Sequence, residues 1–336
     1  MTTEISITQR ATLEVVGQVA NETAARHVFD DYRSTKATNT IKRQRDDLAR
    51  FAAFLSVVGV IVGDLFNDPL AWRGITWGIV KAFVKWMLAE GDSIGSIGVR
   101  LSTVKTYAKL AAQAGAIDES EYTMIRGVSG YGYIEGKRID ERRETTRRGT
   151  KKAQPVTLTT QQANKMKAQP DTPQGRRDAV LMSVMIDLGL RVGEVAGLTV
   201  EGVNLENNTL TFYRDKVGKS QTHRMSDGLL NVMRAYMLND APTSGLLLRG
   251  SLEGRGLSGQ GMNRQSIYKR VARLGSEVGV DGLSPHDLRH YWATRAANKP
   301  NAKLDKLMRA GGWSSPAMPM RYIIAGQIAN DGLDDD

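Results

Sequence analysis

The 336-residue chain contains no cysteine, which excludes a disulfide framework, thiolate catalysis and any cysteine-based zinc site. Histidine is almost as scarce. The four present are His27, His223, His286 and His290. Only the last pair, at i and i+4, has a spacing that a metal could use, so no metal site is expected. Aromatic residues make up 6% of the chain. Long apolar runs are missing too: Phe51 to Val62 is too short to span a bilayer and is broken by Gly59. The expected location is the cytoplasm, on the nucleoid if the source is bacterial. Acidic residues are the minority sign, 36 against 46 Lys and Arg, for a formal charge of +10. That balance favours a polyanionic partner.

A chain of this length holds two domains, each with its own core. Residues 1–20 show no strong period and read as a loose N-terminal arm. Residues 21–135 read as an all-α unit. Two helices are expected between Glu22 and Leu55, the second capped at Thr40 and carrying Ile41, Leu48, Phe51 and Leu55 at helical spacing. Further helices are expected over Ile75 to Ala89, Ser96 to Ala112 and Glu119 to Arg126. In the Ser96 helix Leu101, Val104, Tyr107, Leu110 and Ala111 face inward, and Lys105 and Lys109 share a neighbouring face. Residues 136–154 form the break. Eight cations (Lys137, Arg138, Arg142, Arg143, Arg147, Arg148, Lys151 and Lys152) stand there against Asp140, Glu141 and Glu144. Such a segment resists collapse and reads as an extended linker. It is either simply solvated or laid along phosphates, where its charge would release counterions.

The second domain, 155–325, opens with a helix from Arg176 to Leu188 that Gly189 terminates. Val203 to Leu205 and Thr209 to Tyr213 read as strand, turn, strand, with another turn over Asp215 to Ser220 and a third strand near Gln221 to Met225. Helices follow over Leu229 to Leu238 and Arg264 to Leu274. The latter carries Arg264, Lys269, Arg270 and Arg273, a surface suited to a DNA groove or backbone, or a solvated basic face. At Ser284 a new helix starts: a cap residue, Pro285 at the first helical position, and Asp287 three residues after the cap. His286 and Arg289 are i and i+3 on it, so they share a face. A helix ends at Gly311-Gly312, and Tyr322 lies nine residues beyond Trp313. Residues 326–336 form an acidic tail.

His286-x-x-Arg289, then Gly312-Trp313-Ser314-Ser315, then Tyr322 resembles the C-terminal signature of the tyrosine recombinases, the phage integrase family. Gly189-Leu190-Arg191-Val192-Gly193-Glu194 resembles that family's first arginine box. Asp215-Lys216-Val217-Gly218-Lys219-Ser220 resembles its lysine-bearing hairpin turn. Two positions depart from the pattern: Trp313 stands where histidine is usual, and Val217 where threonine is usual. The direct resemblance covers roughly residues 155–325, and the helical N-terminal domain is compatible with the family's core-binding domain.

The resemblance implies a mainly α protein with a small antiparallel sheet in an α+β catalytic domain. An all-α, SAM-like core-binding domain would complete a C-shaped clamp around DNA. It implies site-specific cutting and rejoining through a 3′-phosphotyrosine and a Holliday junction, without metal, ATP or any other cofactor. The implied catalytic residues are Arg191, Lys216, His286, Arg289, Trp313 and Tyr322. Glu194 would support them and Lys219 would contact a neighbouring phosphate. The implied partners are duplex DNA with a specific site and three further copies of the chain on two such sites. The free protein would be a monomer or weak dimer, and a DNA-bending accessory protein is a further candidate partner. A type IB topoisomerase, which uses a similar residue set on one duplex, and a DNA-binding module without activity are the alternatives.

Overall fold

The structure, a computed structural model, describes residues 4–142, 156–252, 256–299 and 302–324. The chain divides into two compact units, Met1–Lys151 and Lys152–Asp336. The division falls inside the segment read as the linker.

Unit 1 is helical among its described residues. It contains α1 (Glu4–Ser34), α2 (Thr38–Val57), α3 (Trp77–Ala89), α4 (Ile94–Gln113), α5 (Glu119–Gly127) and α6 (Tyr133–Arg142). Its core is unusually aromatic for a chain with few aromatics. Phe51 meets Phe83 with ring centroids 4.9 Å apart, and Phe29 meets Tyr107 edge-on at 5.1 Å. The five inward positions expected in α4 are all buried. Helix α2 starts two residues before Thr40, with Ala37 in the cap position and no side-chain cap.

Two expectations fail in this unit. The loose arm is helical from Glu4 onward, because α1 runs unbroken to Ser34. Described side chains along its first half are exposed, so no buried stripe marks the helix in the sequence. It is tied down at its far end, where Phe29 enters the core and Arg33 donates to the Asn67 side chain at 2.7 Å. The extended linker is likewise helical in its first part, since α6 reaches Arg142. Arg143, Arg147 and Arg148 lie outside the described residues.

Unit 2 contains α7 (Thr160–Lys167), α8 (Pro173–Leu188), α9 (Val192–Ala196), β1 (Val203–Asn204), β2 (Thr209–Arg214) and β3 (Lys219–Arg224). These are followed by α10 (Asp227–Asn239), β4 (Arg249–Leu252), β5 (Gly256–Gly261), α11 (Arg264–Glu277), α12 (Pro285–Ala297), α13 (Leu304–Gly311) and α14 (Ala317–Ile324). The strands β1-β2-β3 form an antiparallel sheet, and β4 pairs with β5 in a separate hairpin. Sequence pattern does not reveal that second hairpin, because its Gly-rich, polar strands show no apolar alternation. Helix α8 is buried on nearly every face, including Leu181, Met182, Met185 and Ile186. It is the central rod on which α7, α10 and α12 pack. Gly189 ends it with φ +63, and a Cβ there would come within 2.2 Å of the Trp292 ring. Glycine is therefore required twice over, by conformation and by space.

Helix α12 begins as expected at Ser284. The Asp287 carboxylate accepts from the Ser284 amide at 2.8 Å and from its hydroxyl at 2.7 Å, which closes the carboxylate half of a capping box. Helices α12, α13 and α14 enclose a small second cluster of Trp292, Ala293, Ala297, Leu307 and Tyr322.

Candidate active site

The C-terminus of α13 is the anchor of the site. A helix end leaves carbonyls without intrahelical partners and carries the negative pole of the dipole. Here three guanidinium groups occupy them. Arg214 donates to Ala310 O at 2.6 Å and to Gly311 O at 3.2 Å. Arg289 donates to Gly311 O at 2.5 Å, and Arg191 to Gly312 O at 3.0 Å. Gly312 sits at φ +61, and a Cβ on it would lie 2.6 Å from the Arg214 Nη1. The turn therefore closes down directly onto the arginines.

Each arginine is also fixed from its other side. Arg191, just past the end of α8, donates through Nη1 to Glu194 at 2.8 Å, while its amide donates to the second Glu194 oxygen at 2.8 Å. Arg289 reaches back to the C-terminal end of α8, donating to Gly189 O at 2.7 Å. Glu194 also accepts from Arg214 at 3.1 Å. Arg191 and Arg214 thus share one carboxylate, and Arg289 adds a third cation to the cluster. Burial drives the Arg289 guanidinium down to about 10, and neighbouring Arg191 pushes it the same way. Burial lowers Arg214 as well. Both stay charged at neutral pH, so the site holds an unbalanced positive charge shaped for a tetrahedral or planar anion.

Aromatic rings close the other wall. Trp313 stacks on Trp292 with centroids 6.0 Å apart, and the Arg289 guanidinium lies 4.7 Å from the Trp313 ring centre. Tyr322, only 4% exposed, lies 5.7 Å from Trp313 and meets His290 edge-on at 4.7 Å. Burial raises the Tyr322 phenol above its ordinary range, opposed by Arg289 and Arg321. Arg191, Glu194, Arg289, Trp313 and Tyr322 therefore gather around one turn.

The remaining expected residues stand apart. His286 is exposed on the first turn of α12, whereas Arg289 is buried, so sharing a helix face does not give them the same depth. Lys216 is exposed at the tip of the β2–β3 hairpin, and Lys219 begins β3 in register with Arg214. Among the basic surface candidates, Lys109, Lys269 and Arg273 are exposed, and Arg264 is half-exposed 3.9 Å from Asp215. Two others are engaged internally. Arg270 pairs with the fully buried Asp178, with Nε 2.7 Å from its carboxylate. Lys105 donates to Arg126 O at 2.8 Å. Helical periodicity places both on a basic face without showing the acceptors beside them.

Residues 156–326, just over half of the chain, match the Phage integrase family. The chain belongs to that family. The tyrosine recombinase XerD of Neisseria meningitidis serogroup B is 34% identical over 147 residues, 42% of this chain and 48% of that protein. The chain thus spans about half the length of that relative. XerD of Lacticaseibacillus casei is 26% identical over 277 residues, 80% of this chain and 82% of that protein. Among solved structures, the Tn1549 transposon integrase in complex with circular intermediate DNA has a TM-score of 0.61 at 16% identity, covering 92% and 97% of the two chains. A lambda integrase dimer bound to a core site has a TM-score of 0.59 at 14% identity, covering 92% and 96%. Both share the fold.

Sequence reading misses Arg214, His223 and His290. Arg214 is detectable, because β2 alternates Leu210, Phe212, Arg214 inward and Thr211, Tyr213 outward, and a period of two marks the third inward residue as buried. His223 lies on the neighbouring strand in register with Leu210, with its Nε2 3.4 Å from Arg214. Burial, reinforced by the Arg214 cation, pulls its pKa from 6.5 to about 4. The folded value lies below the unfolded one, so the group's contribution to stability is complete above pH 6.5. It is lost as pH falls from 6.5 toward 4. Between pH 7 and 4.5 the loss should be about 2–3 kcal/mol. Urea unfolding at these two pH values should show His223→Leu losing correspondingly less than the parent; equal losses would contradict the assignment.

Proposed function

We propose that the protein is a site-specific DNA recombinase that cuts and rejoins strands through a 3′-phosphotyrosine, without metal or ATP. The observation that carries this reading is the gathering of Arg191, Arg289, Trp313 and Tyr322 around the α13 turn, with more positive charge than Glu194 balances. In this reading a DNA phosphodiester supplies the missing anion. Tyr322 attacks phosphorus and the 5′ oxygen departs. Negative charge on the non-bridging oxygens is met by Arg191 and Arg289, and preorganised donors of this kind contribute roughly 3–4 kcal/mol each. A phenol raised by burial is fully protonated at neutral pH. His286 takes that proton, and Lys216 protonates the leaving oxygen. Trp313 donates its indole N–H to a phosphate oxygen. A different 5′-OH then attacks the phosphotyrosine, passing through a Holliday junction.

The partner in this reading is duplex DNA carrying a recombination site, with four copies of the chain on two sites. Lys109, Arg142, Lys219, Arg264, Lys269 and Arg273 remain candidates for phosphate contact. The two DNA complexes among the similar structures support DNA as the substrate class. The deciding experiment uses a DNA site selected by binding from the sequence flanking the gene. Two such sites on separate molecules should yield recombinant joints. Relaxation of a single supercoiled circle with no joints would favour a topoisomerase instead.

The acid has its own test. A 5′-bridging phosphorothiolate leaves without needing a proton, so Lys216→Ala should cleave it at nearly the parent rate while failing on the ordinary phosphodiester. Lys219→Ala should show no such rescue. The reverse pattern would move the acid to Lys219.

A further inference from the structure

Arg214 is fully buried and belongs to no part of the reaction described above. Its position is singular. Through its side chain it touches three separate pieces of the site: Glu194 behind Arg191, the two carbonyls that end α13, and His223 across the strand pair. Through its own carbonyl it accepts both turn amides of the hairpin, Val217 N at 3.1 Å and Gly218 N at 2.8 Å. The hairpin tip, with Lys216 two residues on, is therefore held from inside at Arg214, beside the longer Asp215–Arg264 contact of 3.9 Å and the donation from Gln221 on β3 to Arg309 O at 2.7 Å. Arg214 is bonded in turn to the groups that fix Arg191 and the Trp313 turn.

The tip residues Asp215, Lys216 and Gly218 are exposed, and the Asp215–Arg264 contact there is long and between exposed side chains, so the buried anchor nearest Lys216 is Arg214. We propose that Arg214 is a positioning residue that sets the β2–β3 hairpin against the arginine cluster and so delivers Lys216 to the reacting phosphate. An uncharged aliphatic side chain could fill the same volume. It could not donate to a helix C-terminus and a carboxylate at the same time. This inference rests on the reading of Lys216 as the acid, and its test separates the two.

The main variant is Arg214→Lys, which keeps the charge and loses the fork of donors. Two readouts are taken on the full chain. The first is amide hydrogen exchange followed by mass spectrometry. Residues 214–219 should exchange at least about tenfold faster than in the parent, with α8 and α12 unchanged, as expected when local opening is eased. This readout does not depend on the chemistry of Lys216. The second is the ratio of cleavage rates on phosphorothiolate and phosphodiester suicide substrates. Cleavage of the phosphodiester should fall about a hundredfold and that of the phosphorothiolate less than about fivefold, in the range of a lost acid contribution.

Equal losses on both substrates, or unchanged exchange in the hairpin, would overturn the positioning role. If Lys216→Ala itself is not rescued by sulfur, the acid assignment fails. Fast exchange confined to the hairpin in Arg214→Lys would then still support the tether. Should Arg214→Lys not fold, the same measurements on Arg214→Gln decide. Loss of the folded unit in both variants would overturn the proposal in favour of a purely structural arginine.

Discussion

Tyr322→Phe should bind a nicked suicide duplex as the parent does and form no covalent adduct with it. The variant removes one hydroxyl and leaves the ring in place. The contacts with Trp313 and His290 are made by the ring, so the buried cluster between α12, α13 and α14 should persist. A neutral hydrogen bond contributes about 1 kcal/mol net, so affinity should stay within roughly a factor of five to ten. Chemistry should disappear altogether, because no other group on α14 can attack phosphorus. The measurement is a denaturing gel of labelled duplex after incubation, with peptide mapping of any shifted band. An adduct surviving in Tyr322→Phe would overturn the assignment, most directly if it mapped to the exposed Tyr268 or to Tyr291. The latter hydroxyl is buried without a hydrogen-bond partner, a setting poorly suited to a nucleophile that must meet DNA.

What can be read from the sequence follows the physical range of each signal. Helices with a buried stripe, such as α4 and α8, are visible because a 3.6-residue period is a local pattern. Caps are visible for the same reason: Gly189 and Gly312 both take the left-handed conformation expected at helix ends. α1 is invisible because its exposed first half has no buried face to produce a period. The β4–β5 hairpin is invisible because Gly250, Gly256, Gly259 and Gly261 interrupt any alternation. At the site, resemblance supplies Arg191, Arg289, Trp313 and Tyr322, and the fold brings these to one turn. It cannot supply Arg214, whose partners are the carbonyls of Ala310 and Gly311. Backbone carbonyls leave no trace in side-chain identity, so a residue that serves them is found only once the chain is folded. The same limit explains Arg270. Its acceptor, Asp178, stands 92 positions earlier, and a helical wheel of α11 cannot show it.

Asp178→Ala should therefore cost far more stability than breaking an exposed ion pair such as Arg273–Glu277. Asp178 and Arg177 are both fully buried. The Arg177 Nε donates to one Asp178 oxygen at 2.9 Å, and Arg270 Nε donates to the other at 2.7 Å. Arg177 also donates to Arg249 O at 2.7 Å and to Ser251 Oγ at 3.1 Å, which fastens the β4–β5 hairpin to α8. Deleting the carboxylate leaves a guanidinium in the interior with no counterion. Breaking a buried pair from one side typically costs about 3–5 kcal/mol. For a unit of this size that corresponds to a fall in Tm of about 6–20 °C, readable by calorimetry. The partner variant separates the two readings of Arg270. Arg270→Gln should lower the melting temperature and leave the salt dependence of DNA binding unchanged. If Arg270 instead contacted phosphate, the variant would keep its stability and flatten the slope of log affinity against log salt by about one. Such an outcome would return Arg270 to the DNA-facing surface and leave Asp178 with Arg177 alone.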